Sequence, residues 1–162
     1  LVAPAWFAEN AKVGQYLKQA FEDVNVKVNL VVADRPTALK RIYSDYDFDI
    51  ALSNIPQAVE LVPVVTRSFT SDGILKGVPF RNANSYSNAV VDKLVGDLAV
   101  ETDPKKRKAL ADEFSKIVTR DAPYLVLIEL DSFTVARSSV KNHSNSANYM
   151  NETWGDLWVD RK

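Results

Sequence analysis

The side chains able to do chemistry are few, and their spacing excludes more than it offers. Histidine occurs once, as His143, in a tract rich in Asn and Ser. A nucleophilic triad or a zinc site needs partners for it, and the chain has neither a second histidine nor any cysteine. Asp45, Asp47 and Asp49 alternate like calcium ligands. An EF-hand, however, needs glycine at the sixth position and glutamate at the twelfth, where this register supplies Ile50 and Pro56. The five glycines stand apart, so no phosphate-cradling loop or dinucleotide fingerprint exists. Glu60 and Glu129 are the carboxylates a hydrolase would draw on, but no spacing rule joins them, and solvated or ion-pair roles fit both. No nucleophile has a base beside it. Binding fits the chain better than catalysis; an open α/β enzyme, using Glu60 or Glu129 with partners outside this stretch, is the competing reading.

The segment able to position a binding loop runs from Asn25 to Pro56. Val26, Val28, Leu30 and Val32 alternate as in a half-buried strand. Asp34 is placed to cap a helix and Pro36 suits its first turn, where a missing N–H costs little. Ala38, Leu39, Ile42, Tyr43 and Tyr46 recur at helical spacing. Phe48, Ile50 and Leu52 make a second short strand, expected to be the partner of the first and parallel to it through a right-handed crossover. Ligands of such sheets bind beyond the strand C-termini, which points to Ser53, Asn54, Ile55 and Pro56.

Around this unit, Leu1 to Ala5 reads as a buried strand. Glu9 to Asp23 reads as an amphipathic helix with Val13, Leu17, Ala20, Phe21 and Val24 on one stripe. The order β-α-β-α-β predicts an α/β fold. Residues 57 to 84 lose periodicity at Pro63, Gly73, Gly77 and Pro79, with a short helix expected near Val59 to Val65. Asn88 and Asp103-Pro104 are start signals for two further helices, carrying Val91, Leu94, Val95 and Leu98, and then Leu110, Phe114, Ile117 and Val118. Lys105, Lys106, Arg107 and Lys108 read as a solvated face. Tyr124 to Leu130 reads as a buried strand, Phe133 to Val140 as a second, and Trp154, Leu157 and Trp158 as an apolar end that needs a surface.

The 162 residues suffice for one domain with a real core. Forty-six per cent hydrophobic and 25% charged residues make an ordinary globular composition. A net charge of −1 with scattered Lys and Arg leaves no footprint for nucleic acid. No apolar run approaches the roughly 20 residues of a bilayer span. The chain opens on Leu1-Val2-Ala3 in mid-strand, as expected of a fragment whose export signal would lie upstream.

Two stretches then carry a resemblance: VKVNLVVADRPTALKRIYSDYDFDIALSN, and NANSYSNAVVDKLVGDLAVETDPKKRKALADEFSKIVTRDAPYLVLIE. Taken in order, they resemble the C-terminal lobe of the dipeptide/oligopeptide/nickel family of ABC-transporter substrate-binding proteins, over nearly the whole chain. The resemblance implies a type II-like periplasmic binding protein lobe, a mixed sheet flanked by helices, as the C-terminal fragment of a larger two-lobed protein. It implies a partial ligand-binding lobe over 1–132 and a return segment over 133–162 that packs on the missing N-terminal lobe. A periplasmic or extracellular membrane-associated receptor is implied. It would deliver a peptide or other small solute to an ABC permease, without catalysis, metal or cofactor. Ser53, Asn54 and Ile55 would line the cleft, with Glu60 and Arg81 as further polar contacts. Peptide-binding relatives usually place a Trp, and a few residues on an Asp, in the loop after this strand. Here Ile55 stands where the aromatic is expected and no Asp lies between Asn54 and Phe69. Peptide is thus one option among opines, sugars and other small solutes. A receptor domain turned protein-interaction module, using its tryptophan tail, is a third reading.

Overall fold

Val2–Pro4, the buried strand β1, is the axis of the first half of the molecule. The computed structural model describes residues 1–55, 60–129, 135–143 and 154–160. The chain divides into two units, Leu1–Pro56 with Glu60–Pro123, and Gln57–Val59 with Tyr124–Lys162.

In the first unit, β1 leads into helix α1, Ala8–Asp23, and then to β2, Val31–Ala33, which pairs with β1 in parallel. Helix α2, Arg35–Leu39, continues through a π turn, Lys40–Asp45, and ends on Tyr46 in the left-handed region. The chain then runs along the other edge of β1, bonding Val2 N–H to the Ile50 carbonyl at 2.8 Å and Leu52 N–H to the Val2 carbonyl at 2.9 Å. This corrects the expected pairing. The Phe48–Leu52 stretch does not pair with β2; both neighbours pair with β1, which separates them. Val26 to Leu30 also lies outside β2, because the register begins at Val31 opposite Val2.

Helix α1 approaches β1 closely at Gly14. A β-carbon there would stand 3.0 Å from Leu30 Cδ1 and 3.1 Å from Ala3 Cβ. Its buried positions are Asn10 and Gly14, with Val13, Leu17 and Phe21 half-buried and Ala20 and Val24 exposed. The packed face is therefore displaced from the expected stripe toward the smallest side chain. The sheet core comprises Val2, Ala33, Ala38, Ile42, Tyr43 and Ala83.

A second core lies among α3, Leu61–Phe69, α4, Ala89–Val100, and α5, Pro104–Asp121. It holds Val65, Val91, Val95, Phe114 and Ile117, and Phe69 meets Phe114 edge-on at 5.5 Å. The expected caps form: Asp34 accepts from Thr37 N–H, Asn88 from Val90 N–H, and Asp103 from both Lys105 and Lys106 N–H. Arg107 is an exception within the basic run. Half-buried, it donates to the Leu98 carbonyl at 2.7 Å and so closes the end of α4.

The stretch between α3 and α4 lacks periodicity and is held instead by polar groups, of which Asn82 is buried. Asn82, with 0% exposure, donates to the carbonyls of Thr70 and Tyr86 at 2.9 and 2.8 Å and accepts from Tyr86 N–H at 3.2 Å. Ser71 donates from its backbone and its hydroxyl to Asp92 at 2.9 and 2.6 Å. The Asp121 carboxylate receives Tyr86 Oη at 2.7 Å, Asn88 Nδ2 at 3.0 Å and Arg120 Nε at 2.9 Å.

In the second unit, β3, Val140–Lys141, pairs antiparallel with β4, Trp158–Val159. Residues 124–129 are not a strand, contrary to expectation. A strand needs an adjacent backbone to bond, and this segment belongs to neither sheet; Val126 is 89% exposed. Leu130, and Phe133 and Thr134 of the expected second strand, lie outside the described residues; of that second strand only Val140 is in a strand, and 135–139 are not.

Two measurements test this scheme. Asn82→Leu strands the Thr70 and Tyr86 carbonyls and leaves Tyr86 N–H only its bond to Asn84 Oδ1 at 3.3 Å, and should destabilise the fold by roughly 2–3 kcal/mol in urea unfolding, while Ser87→Ala stays near neutral. Arg120 and then Tyr86 draw the Asp121 carboxyl down to about 2, from the ordinary 3.8. Since the folded value is the lower one, the stabilisation is complete above 3.8 and is lost as pH falls through about 2. The difference in melting temperature between the protein and Asp121→Asn should be constant at neutral pH and vanish across that window.

Candidate functional site

Strand β1 lies between two parallel neighbours reached by crossovers in opposite directions, so the chain diverges at the C-terminal ends of β1 and of residues 50–52. Pro4 sharpens the divergence. The next rung toward Leu52 requires the N–H that proline lacks, and the ladder stops there. The Asn10 side chain, 7% exposed at the start of α1, takes over. Its Nδ2 donates to the Pro4 carbonyl at 3.0 Å and toward Asn54 Oδ1 at 3.4 Å. Asn54 is thereby tied to β1 through a side chain, while Ser53 and Ile55 on either side of it are exposed.

Tyr43, 7% exposed, comes up beneath this loop from the π turn. Burial pushes its phenol above the ordinary tyrosine value; hydrogen bonding from the Ser53 side chain, the Arg67 charge and the Phe80 backbone pull the other way. The Tyr43 carbonyl receives Gly77 N–H at 2.6 Å, which anchors the 74–80 loop. Phe80 adopts a left-handed backbone, φ 61°, a strained state for an aromatic residue. Its ring meets Tyr43 at 5.7 Å and Trp6 at 6.5 Å, and the Arg35 guanidinium lies 5.9 Å from the Trp6 ring centre. Arg67 stands in the last turn of α3. A β-carbon on Gly73 would fall 2.5 Å from the Arg67 carbonyl, so the turn after α3 packs directly on that helix end.

The site residues read from sequence fall into two groups. Ser53, Asn54 and Ile55 stand at this divergence. Glu60 is occupied elsewhere: it caps α3 through Val62 N–H at 3.3 Å and forms an ion pair with Arg107. Arg81 is half-buried beside Phe80 and makes no ion pair among the described residues. Trp6, Asn10, Tyr43, Arg67 and Phe80 were not among the expected site residues. Pro4 followed by an aromatic residue at the end of the first strand was the available signal for some of the set.

A concavity of about 610 Å³ opens at the opposite, N-terminal ends of the strands, lined by residues including Phe21, Val26, Arg41, Tyr46, Phe48 and Ile50. Its Arg41 is already paired with Asp47 at 2.7 Å. Strand polarity favours the C-terminal end as the candidate site. Among the described residues, no three His, Asp or Glu side chains gather to hold a metal, and no helix is long and apolar enough to cross a membrane.

No protein-family model matches the chain, and no solved structure matches it. It is similar to the nickel-binding protein NikA of Staphylococcus aureus, 24% identical over 136 residues, which is 83% of this chain. The chain spans about a quarter, 26%, of that relative's length. The similarity is distant, and it is to a binding protein.

Asn10→Ala leaves the Pro4 carbonyl without its donor and releases Asn54. A loss of about 1–2 kcal/mol in denaturant unfolding is expected, with faster amide exchange at residues 52–54 and unchanged exchange in α5.

Proposed function

We propose that this chain is one ligand-binding lobe of an extracytoplasmic solute-binding component of an ABC importer, of the type II-like periplasmic binding protein architecture. The observation that carries the reading is the divergence at Pro4 and Leu52. It offers exposed polar and aromatic groups on a wall held by buried hydrogen bonds, without a nucleophile and base among them. Such a wall is suited to binding and orienting a solute. The resemblance in segment order and the similarity to a nickel-binding protein support the same class.

In this reading Ser53, Asn54 and Ile55 form one jaw, with Arg81 near it. Glu60 acts through α3 and Arg107 and not on the solute directly. The second jaw belongs to a lobe outside this chain, and closure of the two by a hinge traps the solute for a membrane permease. Residues 133–162 serve as the return segment to that lobe. The ligand is a peptide or another small solute, and the loop's lack of an aspartate speaks against anchoring a peptide ammonium there.

Small-angle scattering on the complete protein provides the check. A solute identified by native mass spectrometry as co-purifying should reduce the radius of gyration on addition, and Asn54→Ala should weaken that response. No compaction with any co-purified solute, or with peptide and sugar panels, would sink the proposal.

A further inference from the structure

Among the described residues, Arg67 is a cation without an anion. Its Nε is buried and has no hydrogen-bond partner, and its guanidinium makes no ion pair among the described residues. Asp72, the acid closest to it in the following turn, does not pair with it among those residues. The C-terminal dipole of α3 favours a positive charge at this position but supplies Nε with no acceptor. Leaving a partly buried guanidinium unpaired is costly, because it loses hydration without gaining a counter-charge. The planar fork of five donors is shaped for a carboxylate or another oxyanion.

Its surroundings define what would accompany that oxyanion. The turn at Gly73 packs directly on the Arg67 carbonyl and receives Asn82 N–H at 3.0 Å, two residues after Phe80, and the Tyr43 phenol beneath Phe80 is pulled down by the Arg67 charge and a Ser53 hydrogen bond against the larger effect of burial. From there an aromatic strip runs through Phe80 to Trp6, with ring separations of 5.7 and 6.5 Å, and Phe80 is 41% exposed despite its strained backbone. Asp34 is the acid next to Arg35 at the strip's far end, and its carboxylate is engaged with Thr37 N–H at 2.9 Å. We infer that this corner is an anion subsite, in which Arg67 holds the carboxylate of a small amphipathic organic acid while Phe80 and Trp6 carry its apolar body. The inference rests on the solute-binding reading and names its ligand class.

Calorimetric titration of the complete protein with a matched pair of probes tests it. Phenylacetate carries the charge and the ring; phenylacetamide keeps the ring and loses the charge. Phenylacetate should bind about tenfold or more tightly than phenylacetamide, and Arg67→Gln should abolish that preference. Arg67→Lys, which keeps the charge but not the fork, should retain some of it, and circular dichroism of both variants verifies folding. Inorganic phosphate serves as a bare oxyanion; if it bound as tightly as phenylacetate, the aromatic half of the subsite would be overturned. Equal binding of the two phenyl probes, unchanged in Arg67→Gln, would overturn the anion subsite and leave the solute-binding reading standing. Failure of these probes while a co-purified neutral solute still compacts the protein has the same meaning. Failure of the probes with no compaction by any solute overturns both.

Discussion

A missing N–H organises the candidate site. Proline at the end of β1 cannot continue the ladder toward Leu52, so the two strands separate just beyond their shared bonds. The cost of an unmatched buried carbonyl is avoided by Asn10, which reaches from the first turn of α1 to Pro4 and on toward Asn54. Two constraints meet in that amide. It closes the sheet, and it sets where the 53–55 loop begins. The close packing at Gly14 one turn later holds α1 near enough for Asn10 to do so.

The wall opposite is assembled by a different means. Residues 70–88 have no periodic pattern and little apolar surface of their own to bury, yet they bring Phe80 to the strand ends and Ala83 into the sheet core. Asn82 replaces a hydrophobic anchor with three hydrogen bonds, and Tyr86 and Asn88 fasten the end of the same stretch to Asp121. Buried, fully satisfied amides define geometry more narrowly than apolar contact does. The strain at Phe80 persists because both sides of the loop are fixed.

Legibility from sequence followed the range of the interactions. Asp34, Asn88 and Asp103 announced their helices because capping is decided within three residues. The position of Ser53 and Asn54 at the strand ends was legible because local pattern marks where the 48–52 stretch stops. The pairing of residues 50–52 with β1 was not, since local pattern does not record which distant backbone supplies the bonds. The same limit applies to Tyr124–Glu129, whose apolar run reads as a buried strand although it joins neither sheet among the described residues. Arg67 and Tyr43 escaped notice because their roles depend on burial and on missing partners, properties of the folded surroundings. Glu60 stood in the right segment, but its interaction with Arg107 spans too much chain to be read locally.

The π turn at Lys40–Asp45 amounts to an α-helix with one residue too many. Tyr43 lies inside it, so that surplus residue decides which way the phenol faces. Removing a single position between 40 and 45 would restore a regular helix and swing the phenol away from Ser53 while leaving every residue of the 53–55 loop intact. Chain length here is therefore a tuning variable in its own right. A one-codon insertion or deletion there would reset the geometry of this corner without any substitution among the residues of the 53–55 loop.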